Sequence, residues 1–427
     1  MADREPDQEH AAARRASVET PPLLPADPAA QARWLLRNVA QALPEGELER
    51  QLAGGRPLRV KLGVDPTAPD IHLGHVVVLR KLREFQQLGH LVVLIIGDFT
   101  ARVGDPSGRS RTRPALDPQE IERNAATYQQ QAFKVLERER TEVVRNSSWL
   151  DMPMTEFFTL AARATVAQLL DRDDFRRRYE SGEPISVLEL LYPLLQGYDS
   201  VAVRSDVEVG GTDQTFNLLF AREVQSAYGQ RPQSILTMPI LPGIDGVQKM
   251  SKSLGNHIAV NDPPEQMFGK LMRIPDAVMP VYYRLLLDGE ADPALTPVAA
   301  KRALARTIVG QFWGPEAALA AERRFDRIHV QREAPEDVKT AVVAVDAARV
   351  PIATVLSEAF GISRSEARRL LAQGAVAVDG RRLPPDLQEV SVEELDGAVV
   401  RLGKRRFRRI SLVGPAGAGR GERRARC

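Results

Sequence analysis

The sequence predicts an α/β protein: a Rossmann-like parallel-sheet domain, then a helical domain, then a small α+β domain. Three observations carry this. Residues 58–64 (LRVKLGV) and 91–96 (LVVLII) are short apolar runs, typical of strands buried on both faces. Between them, HVVVLRKLREFQQLG has apolar residues at helical spacing and closes on Gly89, a suitable C-terminal cap; strand, helix and strand make a parallel βαβ unit. Residues 350–412 combine two helical patterns (IATVLSEAF and SRSEARRLLAQG) with short strands (AVAVDG, VVRLG, FRRI).

The other elements follow in order. Residues 1–33 are polar, Ala/Pro-rich and aperiodic, and read as a disordered tail. Helical spacing recurs at 119–140, 155–170 and 186–199, and the strand VEVGG (207–211) leads into the helix TDQTFNLLFAREVQSAYG. A helical insertion thus separates the two halves of the sheet in a domain spanning 34–258. Residues 259–343 are mostly helical, broken at Pro275, Pro280, Pro293 and Pro297. EAPEDVKTAVVAVDAARVP reads as a linker into the unit ending near 412, and 413–427 as a flexible basic tail.

Composition narrows the class. The 427 residues suit two to four domains at roughly 100–200 residues each. No apolar run approaches the roughly 18 residues that span a membrane, and MADREPDQEH has no apolar core for a secretory signal. The single cysteine, Cys427, leaves no disulfide or cysteine zinc site and fits a reducing cytoplasm. The net charge of +2 conceals an asymmetry: residues 401–427 hold ten Lys/Arg against one Glu. A basic end on an acidic body suits a polyanion docked there; a solvated tail is the plainer alternative.

Two motifs bear chemistry. His72-Leu73-Gly74-His75 follows the first strand and opens its crossover helix. Helix N-termini attract phosphate, the imidazoles can donate hydrogen bonds, and Gly74 clears space for a nucleotide. Lys249-Met250-Ser251-Lys252-Ser253 lies in a loop bounded by Gly243, Gly246 and Gly255, where two lysines can neutralise a departing pyrophosphate. Either alone could be a chance helix start or a solvated lysine loop. In this order, together, they resemble the paired signatures of class I aminoacyl-tRNA synthetases.

The segments KLGVDPTAPDIHLGH, GDFTARVGDPSGR, LLYPLLQGYDS, VEVGGTDQTFN and GVQKMSKSLGN are similar to bacterial tyrosyl-tRNA synthetases of the branch with a complete KMSKS, over about residues 34–412. Tyr192, Gln196 and Asp199 share one helix face by spacing. The resemblance implies that Asp105, Tyr192 and Gln196 hold the ammonium of L-tyrosine and that Asp199 accepts its phenolic hydrogen bond. It implies that Asp213 meets the ribose, that Gln214 meets the substrate carbonyl region, and that Gly63, Asp65, Thr67 and Gly211 line the tyrosyl-adenylate site. His72, Gly74, His75, Lys249 and Lys252 would bind ATP, accompanied by magnesium, with no tightly bound cofactor. Asp65-Pro-Thr67 and Asp105-Pro also suit plain turns. One position departs: many relatives have tyrosine two residues before the glycine matching Gly63, as a second hydrogen-bonding group for the phenol, and here it is Lys61.

The 350–412 unit resembles the small RNA-binding domain shared with a ribosomal small-subunit protein. Arg364, Arg368, Arg369, Arg381 and Arg382 would form its phosphate-binding face. The resemblance further implies tRNA(Tyr) as partner and a homodimer, with the insertion near 121–175 as part of its interface. A tryptophanyl-tRNA synthetase shares both signatures, but Asp199 and the basic end argue against it. An RNA-binding protein with a decayed active site, or a small-molecule adenylyltransferase, would need the intact motifs or the basic domain to be idle.

Overall fold

A computed structural model describes residues 24–67, 69–105, 117–330, 338–403 and 406–414. The chain divides into two compact units, up to Pro315 and from Glu316.

The first unit holds a six-stranded sheet: β1 (Gln41–Leu43), β2 (Arg59–Val64), β3 (Leu91–Ile96), β4 (Thr141–Arg145), β5 (Val207–Gly211) and β6 (Ser234–Met238), in the order β1-β6-β5-β2-β3-β4. All pairs are parallel except β1 with β6. β3 and β6 are buried along almost their whole length, which explains their continuous apolar sequences. From β2 the chain winds outward through β3 and β4, then returns to β5 on the other side of β2. That reversal is the topological switch point, where open α/β sheets bind ligands beyond the strands' C-terminal ends.

Three helices position the site: α1 (Leu73–Gln87), α2 (Val187–Ala202) and α3 (Thr215–Ala227). α1 buries Leu73, Val76, Leu79, Leu82 and Phe85, the stripe read from its spacing. α2 starts at a capping box: Leu188 N donates to Ser186 Oγ at 3.2 Å and Ser186 N to Glu189 Oε2 at 2.9 Å. The insertion expected near 121–175 is interrupted by β4: helix Pro118–Ala132 is the crossover from β3, and the helices between β4 and α2 are Ser147–Leu150, Met154–Ala161, Val166–Leu170 and Asp173–Glu180. Helices Pro264–Leu271, Met279–Leu287 and Pro297–Trp313 complete this unit.

Two expectations are corrected. The tail assigned to 1–33 contains helix Pro28–Leu35: Asp27 Oδ1 accepts from Ala30 N at 2.9 Å, Pro28 sits in the first turn, and Ala32 and Leu35 are buried. An Asp–Pro start and two core contacts outweigh the polar composition; residues 1–23 lie outside the described ones. The supposed linker contains strand β7 (Thr340–Ala344), an edge strand parallel to residues 406–413. Its alternating TAVVA buries only Val343, so nothing local marks it as part of a sheet.

The second unit opens within helix Pro315–His329. β7 is followed by β8 (Arg349–Pro351), helix Ile352–Phe360, α4 (Arg364–Ala372), β9 (Val376–Val378), β10 (Arg381–Arg382), β11 (Glu389–Ser391), β12 (Val399–Leu402) and β13 (Arg406–Val413). The five-stranded sheet β10-β9-β12-β13-β7 closes over a core that includes Ile352, Leu356, Ala367, Leu371, Val400 and Ile410. Of the basic tail, residues 415–427 lie outside the described residues.

Candidate active site

A cleft of about 1020 Å³ opens at the switch point, walled by the C-terminal ends of β2 and β5, the start of α1, one face of α2 and the 249–254 loop. It gathers Gly63, Asp65, Thr67, His72, Gly74, His75, Asp105, Tyr192, Gln196, Asp199, Gly211, Asp213, Gln214, Lys249 and Lys252. Every cleft residue expected from the sequence is therefore in one place, although the motifs are scattered over nearly two hundred residues.

The inner end is acidic and deep. The Tyr192 hydroxyl donates to Asp65 Oδ2 at 2.9 Å, and Thr100 Oγ1 donates to Asp65 Oδ1 at 2.6 Å. Gly97 makes this possible, since a Cβ there would lie 2.2 Å from Asp65 Oδ1. Burial is the main force raising the Asp65 carboxyl from 3.8 to about 7, with the nearby charge of Asp105 adding to it against the two hydroxyl bonds. Asp105 Oδ2 accepts from Gln214 Nε2 at 3.0 Å, so the ammonium and carbonyl candidates touch. Gln196 Oε1 is buried and has no partner among the described residues.

Asp199 sits in a cradle that sequence reasoning missed. Trp149 Nε1 donates to its Oδ1 at 2.8 Å and Asn146 Nδ2 to its Oδ2 at 3.3 Å, and Asn146 also reaches Thr100 Oγ1 at 2.9 Å. Burial raises its carboxyl to about 6, opposed by the charge of Lys61 and by the bonds from Trp149 and Asn146. Trp149, one of three tryptophans in the chain, was the available signal in RNSSW. Lys61 does not itself line the cleft: its Nζ pairs with Glu208 Oε1, on the cleft wall, at 2.8 Å.

The outer end is built for phosphates. His75 Nδ1 accepts from the backbone N of His72 at 3.2 Å, so the ring proton resides on Nε2, free to donate. Burial lowers His75 to about 4; burial and the neighbouring His75, His257 and Lys249 lower His72 to about 2. Both are neutral donors at pH 7 rather than cations. Gly74 is tight against the protein itself: a Cβ would sit 3.0 Å from the His72 ring, and Met250 Cβ is 3.6 Å away. The histidine motif is tied to the segment that follows the lysine loop by a bridge between His72 and Ala259 and by Leu73 N to Ile258 O at 3.0 Å. Lys249 Nζ meets Asp213 Oδ2 at 3.2 Å, and Lys252 Nζ meets Asp70 Oδ2 at 2.7 Å. Asn256 supports the loop, accepting from Ser251 N at 2.8 Å and donating to Asp245 Oδ2 at 2.6 Å.

In the second unit, Arg364, Arg368 and Arg369 on α4 and Arg381 and Arg382 on β10 are all exposed. Helix and hairpin each carry exposed positive charge.

A parallel sheet with neutral histidines at the crossover helix and two lysines on an adjoining loop defines a class. Residues 53–329 match the family described as tRNA synthetases class I (W and Y), and residues 350–384 match the S4 domain; the chain belongs to this family of class I aminoacyl-tRNA synthetases. Within it the chain is 51% identical over 398 residues to the tyrosine–tRNA ligase of Moorella thermoacetica, covering 90% of this chain and 96% of that protein. It is 49% identical over 396 residues to the tyrosine–tRNA ligase of Thermotoga maritima, covering 90% and 98%. In fold it is similar to the crystal structure of tyrosyl-tRNA synthetase complexed with L-tyrosine from Archaeoglobus fulgidus, with TM-score 0.57 and 24% identity over 69% of this chain and 99% of that one.

Proposed function

We propose that the enzyme activates L-tyrosine with ATP and transfers it to tRNA(Tyr). The carrying observation is Asp199: a buried carboxylate, gripped by Trp149 and Asn146 at the inner end of the cleft, suits a phenolic hydroxyl. At the mouth of that cleft, the family relationship and geometry favour His72, Gly74, His75, Lys249 and Lys252 as the ATP phosphate ligands.

Tyrosine enters with its phenol on Asp199 and its ammonium among Asp105, Tyr192 and Gln196. Its carboxylate oxygen attacks the α-phosphorus of ATP, the bond to the β-phosphate oxygen breaks, and pyrophosphate leaves. Asp65, Thr67, Gly211 and Asp213 would surround the adenylate, with Asp213 on the ribose and Gln214 near the carbonyl. The His75 Nε2 proton and the neutral His72 ring can donate to the phosphate oxygens, while Lys249 and Lys252 exchange their carboxylate partners for pyrophosphate. In the second step a hydroxyl of the terminal adenosine attacks the acyl carbon and AMP departs. Positioning and charge stabilisation suffice without a side-chain nucleophile. Magnesium would accompany ATP on its phosphates and there help offset their charge.

The five arginines of α4 and β10 are the tRNA-phosphate surface in this reading. No described helix is long and apolar enough to cross a membrane, and a cytoplasmic setting fits the substrates. A homodimer is supported by the insertion, where Met154, Phe158 and Val166 are each more than 60% exposed, as are Tyr179 and Val187 toward α2. Sedimentation should give twice the chain mass, and Phe158→Glu should shift it toward monomer. The functional test is charging of bulk tRNA with each labelled amino acid in turn. Tyrosine alone should be incorporated; incorporation of tryptophan instead would reject the assignment.

A further inference from the structure

In the wall of the cleft lies a buried charge pair that the adenylation steps do not use. Lys61 on β2 is 0% exposed, Glu208 on β5 is 1% exposed, and Nζ and Oε1 are 2.8 Å apart. The ammonium has three protons and three acceptors: Glu208, Ser200 Oγ at 2.8 Å and the Gln196 carbonyl at 3.2 Å. No donor is left for a ligand. Glu208 is equally committed. Its Oε2 accepts from Ser200 Oγ at 3.2 Å and from the Gln233 amide, and its Oε1 from Gln196 Nε2 at 3.3 Å.

That last contact decides which end of the Gln196 amide is presented. With Nε2 turned to Glu208, Oε1 is the remaining group, buried and without a partner among the described residues. An ammonium only donates, so an oxygen is what its recognition requires. Without the negative charge of Glu208 nothing would prevent the amide from reversing and presenting N–H groups to a cation. The same hub ties α2 to the sheet at residues 196 and 200, on either side of Asp199. The fold alone does not demand it, because replacing a buried ion pair by neutral groups of similar volume is often neutral or stabilising.

We propose that the Lys61–Glu208 pair is a positioning device for substrate tyrosine, fixing the Gln196 amide with its oxygen toward the substrate ammonium. This rests on the reading of Gln196 as a tyrosine ligand.

The test is a mutant cycle on the full-length protein, read by tyrosine-dependent pyrophosphate exchange: Lys61→Met with Glu208→Gln, Gln196→Ala, and all three together. The paired change and Gln196→Ala should each raise KM for tyrosine by about tenfold, as for a hydrogen bond to a charged group, with kcat and KM for ATP nearly unchanged. The triple variant should be little worse than Gln196→Ala, because the two act through one contact. A merely structural pair would lower Tm without this selective KM effect. If the paired variant does not fold, Lys61→Gln with Glu208→Gln, which leaves neither charge stranded, replaces it in the cycle. A folded variant with unaltered KM for tyrosine, or effects that multiply in full, would overturn the proposal. If Gln196→Ala itself left that KM unchanged, the ligand reading would fall first and the proposal with it.

Discussion

The Tyr192 hydroxyl and Asp65 Oδ2 lie 2.9 Å apart across the cleft, while Thr100 holds the other Asp65 oxygen. Both partners are neutral, so a buried carboxylate is stabilised by hydroxyls alone and its ordinary value of 3.8 rises to about 7, chiefly through burial. Folded protein therefore keeps a proton that the unfolded chain releases between pH 4 and 7. This favours folding below pH 4 and is lost as pH rises through 7. Asp65→Asn should gain stability relative to the parent by about 2–3 kcal/mol between pH 5 and pH 7.5, while losing tyrosine activation. Urea unfolding at the two pH values measures it, and a difference that does not vary with pH would refute the assignment.

Asp199 should carry the discrimination against phenylalanine. A site built to bond a hydroxyl rejects the analogue that lacks it, and the general example of this rule is tyrosyl-tRNA synthetase itself, with a ratio of about 10⁵, a value taken over rather than obtained for this chain. Asp199→Ala should lose most of that ratio, mainly through poorer use of tyrosine. Since its carboxyl is raised to about 6, the parent ratio should also fall as pH drops through 6, where a protonated Asp199 no longer accepts as an anion. Steady-state exchange with both amino acids at pH 5.5 and 7.5 decides this; a flat ratio would assign the phenol to another group.

Lys252 is held by Asp70 at 2.7 Å. Lys252→Ala should slow adenylate formation by an amount equivalent to about 3–4 kcal/mol, by analogy with a lost oxyanion donor. Equilibrium tyrosine binding should stay nearly intact. Comparable losses in binding and rate would remove the lysine from the pyrophosphate role.

Much of this site was legible because its groups are tied to element boundaries. HLGH opens a helix after a strand, VEVGG ends at the crevice, and Tyr192, Gln196 and Asp199 follow one helix face. What was not legible depends on pairings distant in sequence. Trp149 and Asn146 reach Asp199 across about fifty residues, and no period links them. Lys61 was visible as a departure, but only the positions of Ser200 and Glu208 reveal where it points. β7 looked like a linker because its partner lies in residues 406–413.

That strand changes where the chain can be cut. A break near Ala344 would remove β7 from the second unit's sheet, so a truncation between the two units ends at Pro315, keeping the first unit whole. The shortened protein should still form tyrosyl-adenylate while losing most tRNA affinity. Its remaining binding should show a shallower salt dependence, since each lost phosphate contact removes about 0.7–0.9 from the slope of log affinity against log salt. Full charging activity in the truncated protein would show that the arginine surface of α4 and β10 is not the tRNA contact.

The most direct measurement is ATP–pyrophosphate exchange by the purified full-length protein, with each of the twenty amino acids as sole cosubstrate. The expected result is exchange with tyrosine, a trace with phenylalanine, none with tryptophan, and abolition of the tyrosine signal in Asp65→Asn. Exchange driven by tryptophan or another amino acid, or none at all with tyrosine, would contradict the assignment of this cleft to tyrosyl-adenylate.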